Sequence, residues 1–141
     1  MQTRVQWMGP GQMSFVANAD SGHALVMDGS AEIGGHNLGA RPMEMLLMGL
    51  GGCASIDVVM ILQKSRQAIQ QCVVDIQAER AETDPKVFTK IHLHFMVSGN
   101  ALDPKRVAHA ISLSAEKYCS ASVMLGKTAE ITHDFTVVDE S

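Results

Sequence analysis

The sequence of 141 residues predicts an α+β fold made of a single domain, residues 1–141, and three observations lead to this class. Segments of alternating apolar and polar residues, which are typical of β-strands, come in runs. Helical segments separate these runs. Turns rich in glycine and proline, short enough for hairpins, join strands within a run. This order favours α+β over a doubly wound parallel sheet.

The first run of strands lies between Thr3 and Met27. Its apolar residues alternate, and breaks at Gly9-Pro10-Gly11 and Asp20-Ser21-Gly22 predict three short strands. A glycine-rich segment follows from Asp28 to Arg41. It lacks the GxxxxGK[ST] pattern of a phosphate-binding loop, so we expect a mobile loop that leads into the first helix.

The segment from Pro42 to Leu62, PMEMLLMGLGGCASIDVVMIL, is apolar on nearly every face. A helix of this kind must be surrounded by protein or lipid. Two carboxylates, Glu44 and Asp57, and a glycine cluster argue against a membrane span, because charges at membrane depth are costly. We therefore expect a buried central helix that continues to about Gln67 and bends near the glycines.

The second half of the chain predicts two strands, a helix, a short helical segment and a final strand. The second helix opens at Asp103 as N-cap, with Pro104 in its first turn. Its apolar face recurs every four residues and continues to Cys119. The predicted elements are a strand around residues 74–79, a long strand 89–97, helices 104–119 and 120–126, and a strand 131–138.

Charge and cysteine content limit the classes of function. The net charge is −4, without a run of like charges, which indicates neither a nucleic-acid nor a membrane partner. The N-terminal segment lacks the apolar core of a secretory signal, and three cysteines do not make a secreted disulfide framework. We therefore expect a cytoplasmic protein.

Two thiols are candidates for chemistry, Cys53 in the central helix and Cys119 near the end of the second helix. A thiolate is the reactive species, and a helix N-terminus or a nearby cation lowers a thiol pKa. If Gly51-Gly52 breaks the helix, Cys53 begins a new segment, and Lys117 lies two residues before Cys119. The alternative is that both are small buried hydrophobic residues. Cys72, at the start of a strand, is interpreted as structural.

Histidines provide a weaker candidate. His92 and His94 lie two residues apart on one strand face, a spacing that places two imidazoles near one metal ion. Lys90 shares that face and no third ligand is evident, so a solvated polar face is the preferred interpretation, and no metal or cofactor is expected. His133 shares the apolar face of the last strand, which predicts a hydrogen-bonded core residue.

One spacing is more specific. Pro42-x-Glu44-(x)8-Cys53, followed by a second cysteine in LSAEKYCSASVML, resembles the OsmC/Ohr family, the osmotically inducible protein C and organic hydroperoxide resistance group. The stretch PMEMLLMGLGGCASIDVVMILQK is similar to small OsmC-like proteins of the YhfA type. The resemblance extends along nearly the whole chain. It implies an OsmC-like fold with antiparallel sheets around a long central helix, in an intertwined homodimer.

The resemblance also implies a reaction. Active members of the family are thiol-dependent peroxidases that reduce organic hydroperoxides. By position, Cys53 is expected to attack the peroxide and become a sulfenic acid, and Cys119 to resolve it as a disulfide. A dithiol reductant, such as a lipoylated protein, is then expected to reduce that disulfide. The alternative is a non-catalytic member of the family that binds an apolar ligand at the dimer interface.

The sequence departs from those peroxidases at two positions. Their catalytic glutamate directly follows the proline, where this chain has Met43, and the acid comes one residue later at Glu44. Nine residues rotate Glu44 to roughly the opposite side of a continuous helix from Cys53, so a first-turn structural carboxylate is the alternative to catalysis. Their thiolate-stabilising arginine comes from the N-terminal strands. No arginine or lysine lies between Arg4 and Arg41, and Arg41 is the remaining candidate.

Overall fold

A computed structural model describes residues 1–140 and confirms the α+β class. Its described residues form two three-stranded sheets, three α-helices and two short helical turns of other types. Backbone contacts divide the chain into two compact units, Met1–Met48 and the residues from Gly49 onward. The single-domain assignment therefore stays a prediction.

The first unit contains the three predicted strands. They are β1, Thr3–Trp7, β2, Ser14–Ala19, and β3, Ala24–Asp28, paired antiparallel in chain order. The turn between β2 and β3 uses Gly22 at a φ of +92°, a backbone conformation that glycine adopts without steric cost.

The glycine-rich segment after β3 is organised by one buried carboxylate. Oδ2 of Asp28 accepts hydrogen bonds from the backbone N–H of His36 at 2.9 Å and of Leu38 at 3.1 Å. The bond from His36 is the main reason why the pKa of Asp28 is lowered. A 3₁₀ turn, Ala31–Ile33, lies inside the segment. The predicted mobile loop is thus fastened to the end of β3 at two points.

The long helix, α1, spans Pro42–Lys64 without interruption, so Gly51-Gly52 does not break it. It ends before Gln67 because Arg66 has a φ of +61°, in the left-handed region, which an α-helix does not contain. Lys64 in the last turn suits the negative end of the helix dipole.

Burial of α1 differs from the prediction. In the second unit, the side chains shielded from solvent follow one stripe with four-residue spacing: Leu50, Ala54, Val58 and Leu62. On another side of the helix, Ile56 is 61% exposed and Met60 46% exposed. A Cβ atom added at Gly49 or Gly52 would meet nothing within 4 Å. The expectation of a helix buried all round is therefore wrong within the second unit, whose described residues cover only one stripe of its part of α1.

By length and composition, α1 could cross a membrane, with a mean hydropathy of 2.1 over its most apolar window. Core helices of soluble proteins meet the same criterion, so one such helix is weak evidence for a span. Asp57, on the second unit's part of α1, is hydrogen-bonded to another segment of the protein.

The second unit contains a mixed sheet. Strand β4, Ala68–Arg80, pairs antiparallel with β5, Phe88–Asn100, and β5 pairs parallel with β6, Glu130–Asp139. The expected antiparallel arrangement holds for the first pair but not for the second, because helical segments rather than a hairpin connect β5 to β6. The central strand β5 carries the buried apolar face, Ile91, Leu93, Phe95 and Val97.

The connection from β5 to β6 begins with α2, Pro104–Leu113. Asp103 is its N-cap, as predicted, and its side chain accepts a hydrogen bond from the backbone N–H of Lys105 at 3.0 Å. Val107 and Ile111 are fully buried, which confirms the predicted apolar face. The helix ends earlier than predicted, however, because a π turn, Ser114–Tyr118, replaces its last turn. A short helix, α3, Ser120–Leu125, follows.

Candidate functional site

Cys53 lies in the middle of α1 as a free, half-buried thiol. Its neighbour in the chain, Ala54, belongs to the buried stripe of the helix. Because α1 is unbroken at the glycines, Cys53 does not sit at a helix N-terminus. The helix-end effect that the sequence suggested for this thiol is therefore absent.

Cys119 lies where the π turn meets α3, and its free thiol is fully buried. Its Sγ accepts a hydrogen bond from the backbone N–H of Ser122 at 3.4 Å. Burial raises the pKa of Cys119, and the adjacent Cys53 thiol raises it further through a hydrogen bond and its charge. The two candidate thiols, far apart in sequence, are thus neighbours in the second unit.

A buried serine connects the segments that carry the two thiols. Ser114 is fully buried, and its Oγ lies 3.2 Å from the carbonyl oxygen of Ala54 and 3.2 Å from Oδ2 of Asp57. Its own carbonyl oxygen accepts a hydrogen bond from the backbone N–H of Cys119 at 2.8 Å. The sequence did not indicate this residue, since a lone serine between Leu113 and Ala115 carries no motif.

The Asp57 carboxylate, four residues after Cys53, would oppose thiolate formation if it were charged and unpaired. Its hydrogen bond from the Ser114 hydroxyl supplies a partner. Lys117, in contrast, is exposed, and its Nζ lies 5.3 Å from the ring centroid of Tyr118. Within the described part of the second unit, no lysine or arginine hydrogen-bonds to Cys53 or Cys119. A cation that would stabilise a thiolate is not supplied from these residues.

Glu44 and Arg41 lie in the first unit, where they interact with each other. Oε1 of Glu44 accepts a hydrogen bond from the backbone N–H of Arg41 at 2.8 Å, as a third-position glutamate does in a helix capping box. The Arg41 guanidinium donates to the carbonyl oxygen of Gly39 at 3.1 Å. These contacts give both side chains a structural function at the start of α1.

The third cysteine occupies a different setting. Cys72 is half-buried in β4, opposite Val97. Burial raises its pKa, and a hydrogen bond with the Ser55 side chain opposes that effect only in part. This environment favours the protonated thiol and agrees with the structural role expected for Cys72.

His92 and His94 lie on the outer face of the sheet, where both contact Oδ1 of Asp134. The distances are 3.0 Å from Nε2 of His92 and 2.7 Å from Nδ1 of His94. These bonds, His94 first, lower the pKa of Asp134. Across residues 1–140, no group of three or more His, Cys, Asp or Glu side chains is arranged to hold a metal ion.

The interpretation of His133 as a hydrogen-bonded core residue is wrong. It is exposed, and no hydrogen bond to its ring is found in the described part of the chain. The cause is the position of β6 at the edge of the sheet, where its inner face is only partly covered. There His133 lines a hollow of about 330 Å³ together with Ile111 and Phe135.

The sequence matches a family described as OsmC-like protein over residues 35–134. The protein called YhfA of Escherichia coli strain K12 is 47% identical over 138 residues, which cover 98% of each chain. The match thus extends over nearly the full length of both proteins.

Solved structures share the fold. A hypothetical protein from Aquifex aeolicus VF5 superposes with a TM-score of 0.86 at 24% identity, over 99% of this chain and 97% of the other. The organic hydroperoxide resistance protein OhrB of Bacillus subtilis superposes with a TM-score of 0.61 at 16% identity, over 96% and 98%. Likeness at these identities concerns the fold alone.

Proposed function

The chain belongs to the OsmC-like protein family, and from this premise we propose that it is a thiol-dependent peroxidase of organic hydroperoxides. The Cys53 thiolate attacks the terminal oxygen of the hydroperoxide, the O–O bond breaks, and the alcohol leaves with a proton. Cys53 is then a sulfenic acid. The Cys119 sulfur displaces its hydroxyl, which leaves as water, and a disulfide forms. An external dithiol returns both residues to thiols.

The observation that carries this proposal is the adjacency of two free thiols in the second unit. Their unequal surroundings support unequal roles. Cys119 is fully buried and its pKa is raised, so it is a poor first nucleophile and suits the resolving step. Cys53 is half-buried, which leaves a path for a small hydroperoxide. We assign this reaction to defence against oxidative stress in the cytoplasm, where a disulfide is transient.

A second candidate is a non-catalytic protein that binds an apolar ligand beside the same thiols. The observation that favours it is the lack of a lysine or arginine hydrogen-bonded to either sulfur among the described residues from Gly49 onward. Without such a cation, the thiolate has less stabilisation, and the apolar neighbours of Cys53 serve a ligand equally well.

The deciding experiment mixes reduced protein with cumene hydroperoxide under anaerobic stopped-flow conditions and counts remaining thiols. We expect rapid loss of two thiols per chain in the wild type, none of it in Cys53→Ser, and a trapped sulfenic acid in Cys119→Ser. Cys72→Ser, which removes a half-buried thiol outside the pair, is the matched control and should behave as wild type. Oxidation no faster than that of a free cysteine would reject the peroxidase and leave the ligand-binding candidate.

Glu44 is tested in the same assay with Glu44→Gln, because the resemblance gives it a catalytic role. Glutamine retains an oxygen that can accept the Arg41 N–H bond and therefore preserves the helix cap. A loss of rate above about tenfold would assign chemistry to the carboxylate. A wild-type rate would limit Glu44 to the cap.

We also propose a homodimer that covers the open side of α1. In the second unit, this side presents Gly49, Gly52, Ile56 and Met60, and an added Cβ at either glycine would have no neighbour within 4 Å among the described residues outside the adjoining helix turns. An exposed apolar helix face of this kind favours a protein partner. Sedimentation equilibrium should show a dimer, and Ile56→Asp should shift it toward monomer. A wild-type monomer at micromolar concentration would exclude this assembly.

A further inference from the structure

Ser114 contacts both segments that hold the proposed thiol pair. Its hydroxyl has one hydrogen to donate, and the Ala54 carbonyl and the Asp57 carboxylate each have an oxygen 3.2 Å from its Oγ. Both acceptors belong to α1, and Ala54 directly follows Cys53. We call Ser114, Asp57 and the Ala54 carbonyl the serine clasp.

The backbone carbonyl of Ser114 holds the segment that carries the second thiol, Cys119. The Ser114 carbonyl accepts the N–H of Cys119 five residues later, which is the hydrogen bond that closes the π turn. Beyond the turn, the Ser122 N–H donates to Cys119 Sγ. The position of the Cys119 backbone therefore depends on where Ser114 is held.

Disulfide formation is sensitive to this position. Two cysteines can bond without strain only when their Cα atoms lie about 4.4–6.8 Å apart with suitably directed Cβ atoms. A π turn also has a less regular hydrogen-bond pattern than an α-helix and marks functional segments frequently. A turn of this kind between α2 and Cys119 needs an anchor if the thiol is to stay in register with α1.

We propose that Ser114 is a positioning residue for the Cys53–Cys119 disulfide, acting through the serine clasp. This inference rests on the proposed two-cysteine reaction and goes beyond it, because it identifies which contact makes the second step fast. Ser114 itself touches neither the peroxide nor the bond that breaks. Removing its hydroxyl frees the π turn from α1 and leaves the Asp57 carboxylate without this donor.

The first test measures the disulfide without any peroxide, by equilibrating the protein with glutathione redox buffers and quantifying the Cys53–Cys119 disulfide. We expect Ser114→Ala to lower the equilibrium constant for this disulfide by about tenfold, the loss that one buried hydrogen bond can cause. The matched control is Ser98→Ala, since Ser98 is also a buried serine of the second unit but its Oγ has no hydrogen-bond partner among residues 1–140. That control should equal the wild type.

The second test separates the two chemical steps after one equivalent of cumene hydroperoxide. In Ser114→Ala, formation of the Cys53 sulfenic acid should keep its rate within about twofold, while its conversion to the disulfide slows about tenfold. Dimedone, which traps sulfenic acids, should therefore label Ser114→Ala much more than the wild type. A purely structural role would change both steps or neither.

Asp57 variants keep the inference testable if Ser114→Ala does not fold, as judged by near-ultraviolet circular dichroism. Asp57→Asn retains an oxygen acceptor for the Ser114 hydroxyl and should restore most of the disulfide constant that Asp57→Ala loses. A wild-type constant in both Ser114→Ala and Asp57→Ala would overturn the positioning role and leave the peroxidase intact. A wild type that forms no Cys53–Cys119 disulfide would overturn both.

Discussion

The second unit contains two groups of polar side chains that differ in how completely their atoms are hydrogen-bonded. On the outer face of the sheet, both nitrogens of His92 and of His94 have a partner among Thr132, Asp134 and Thr136, at 2.7–3.4 Å. In the buried group, Cys119 Sγ accepts a bond of 3.4 Å and lies against a second thiol. The titratable residues are close together in both cases, but only the buried group contains a sulfur atom that is shielded from solvent.

The two groups also differ in their exposure to solvent. Hydrogen bonds from the two histidines lower the pKa of Asp134, and water screens this exposed group. Burial raises the pKa of Cys119, where water does not screen its charge. Proximity of titratable side chains is therefore a poor guide to chemistry by itself. Burial distinguishes the candidate site from a polar surface.

The largest expected effect concerns the free energy of unfolding, which should depend on buried side chains of the second unit far more than on exposed ones. Ile111 is fully buried and His133 is exposed, although both line the same hollow between α2 and β6. Ile111→Ala should lower the free energy of unfolding by about 2–5 kcal/mol, because it removes buried methyl groups and leaves a cavity. His133→Ala should stay within about 0.5 kcal/mol of the wild type. Urea unfolding measures both free energies. Equal losses of stability in the two variants would contradict the difference expected between the buried and the exposed residue.

An intermediate effect concerns alkaline pH. Because the folded pKa of Cys119 lies above the ordinary thiol value of 9.0, the unfolded chain releases its proton first as pH rises. Stability should therefore fall above about pH 9, by at most about 1.4 kcal/mol per pH unit for one group. Cys119→Ala should flatten this decline, as should Cys72→Ala, whose thiol pKa is also raised. Urea unfolding of reduced protein at pH 8, 9 and 10 tests the slopes, and identical slopes would contradict the shifts.

The smallest effect belongs to the surface group. The folded pKa of Asp134 is lowered, so its contribution to stability is present above its unfolded value and disappears as pH falls through the folded one. Asp134→Asn should therefore reduce the acid sensitivity of the melting temperature slightly and leave it nearly unchanged at neutral pH. Thermal melts between pH 3 and pH 7 measure this. A large decrease of the melting temperature at neutral pH in Asp134→Asn would show that the hydrogen bonds of Asp134 with the two histidines support the fold.

Local patterns predicted the elements well, because each depends on nearby residues. The Asp103 cap, the buried Val107 and Ile111, and the strands of both sheets follow from capping and periodicity. The continuous course of α1 through its glycines agrees with the predicted helix, since packing outweighs a penalty of about 1 kcal/mol per glycine. The π turn was not predicted, because the four-residue spacing does not continue past Ile111, and the next buried positions are Ser114 and Cys119, five residues apart.

The candidate site was predictable only as two unconnected thiols. Nothing in their spacing brings Cys53 and Cys119 together, and their pairing came from the resemblance to a family. Ser114 and Asp134 acquire their roles from tertiary contacts over long sequence separations, Ser114 with Ala54 and Asp134 with His92. Periodicity describes neighbours along one element, so it carries no information about such contacts.

At Gly49 and Gly52 on α1, the residue that favours helix stability differs from the residue that favours close contact in the proposed dimer. Among the described residues of the second unit, beyond the adjoining turns of the helix, a Cβ atom added at Gly49 or Gly52 would meet no atom within 4 Å, and alanine favours a helix by about 0.8–1.0 kcal/mol over glycine. Within these residues, no close contact therefore requires glycine at either position. A bare helix surface lets another backbone approach more closely than a methyl group allows. A screen for folding stability alone would select alanine at both positions. The added methyl groups would then keep a second copy of the chain from approaching α1 as closely in the proposed dimer.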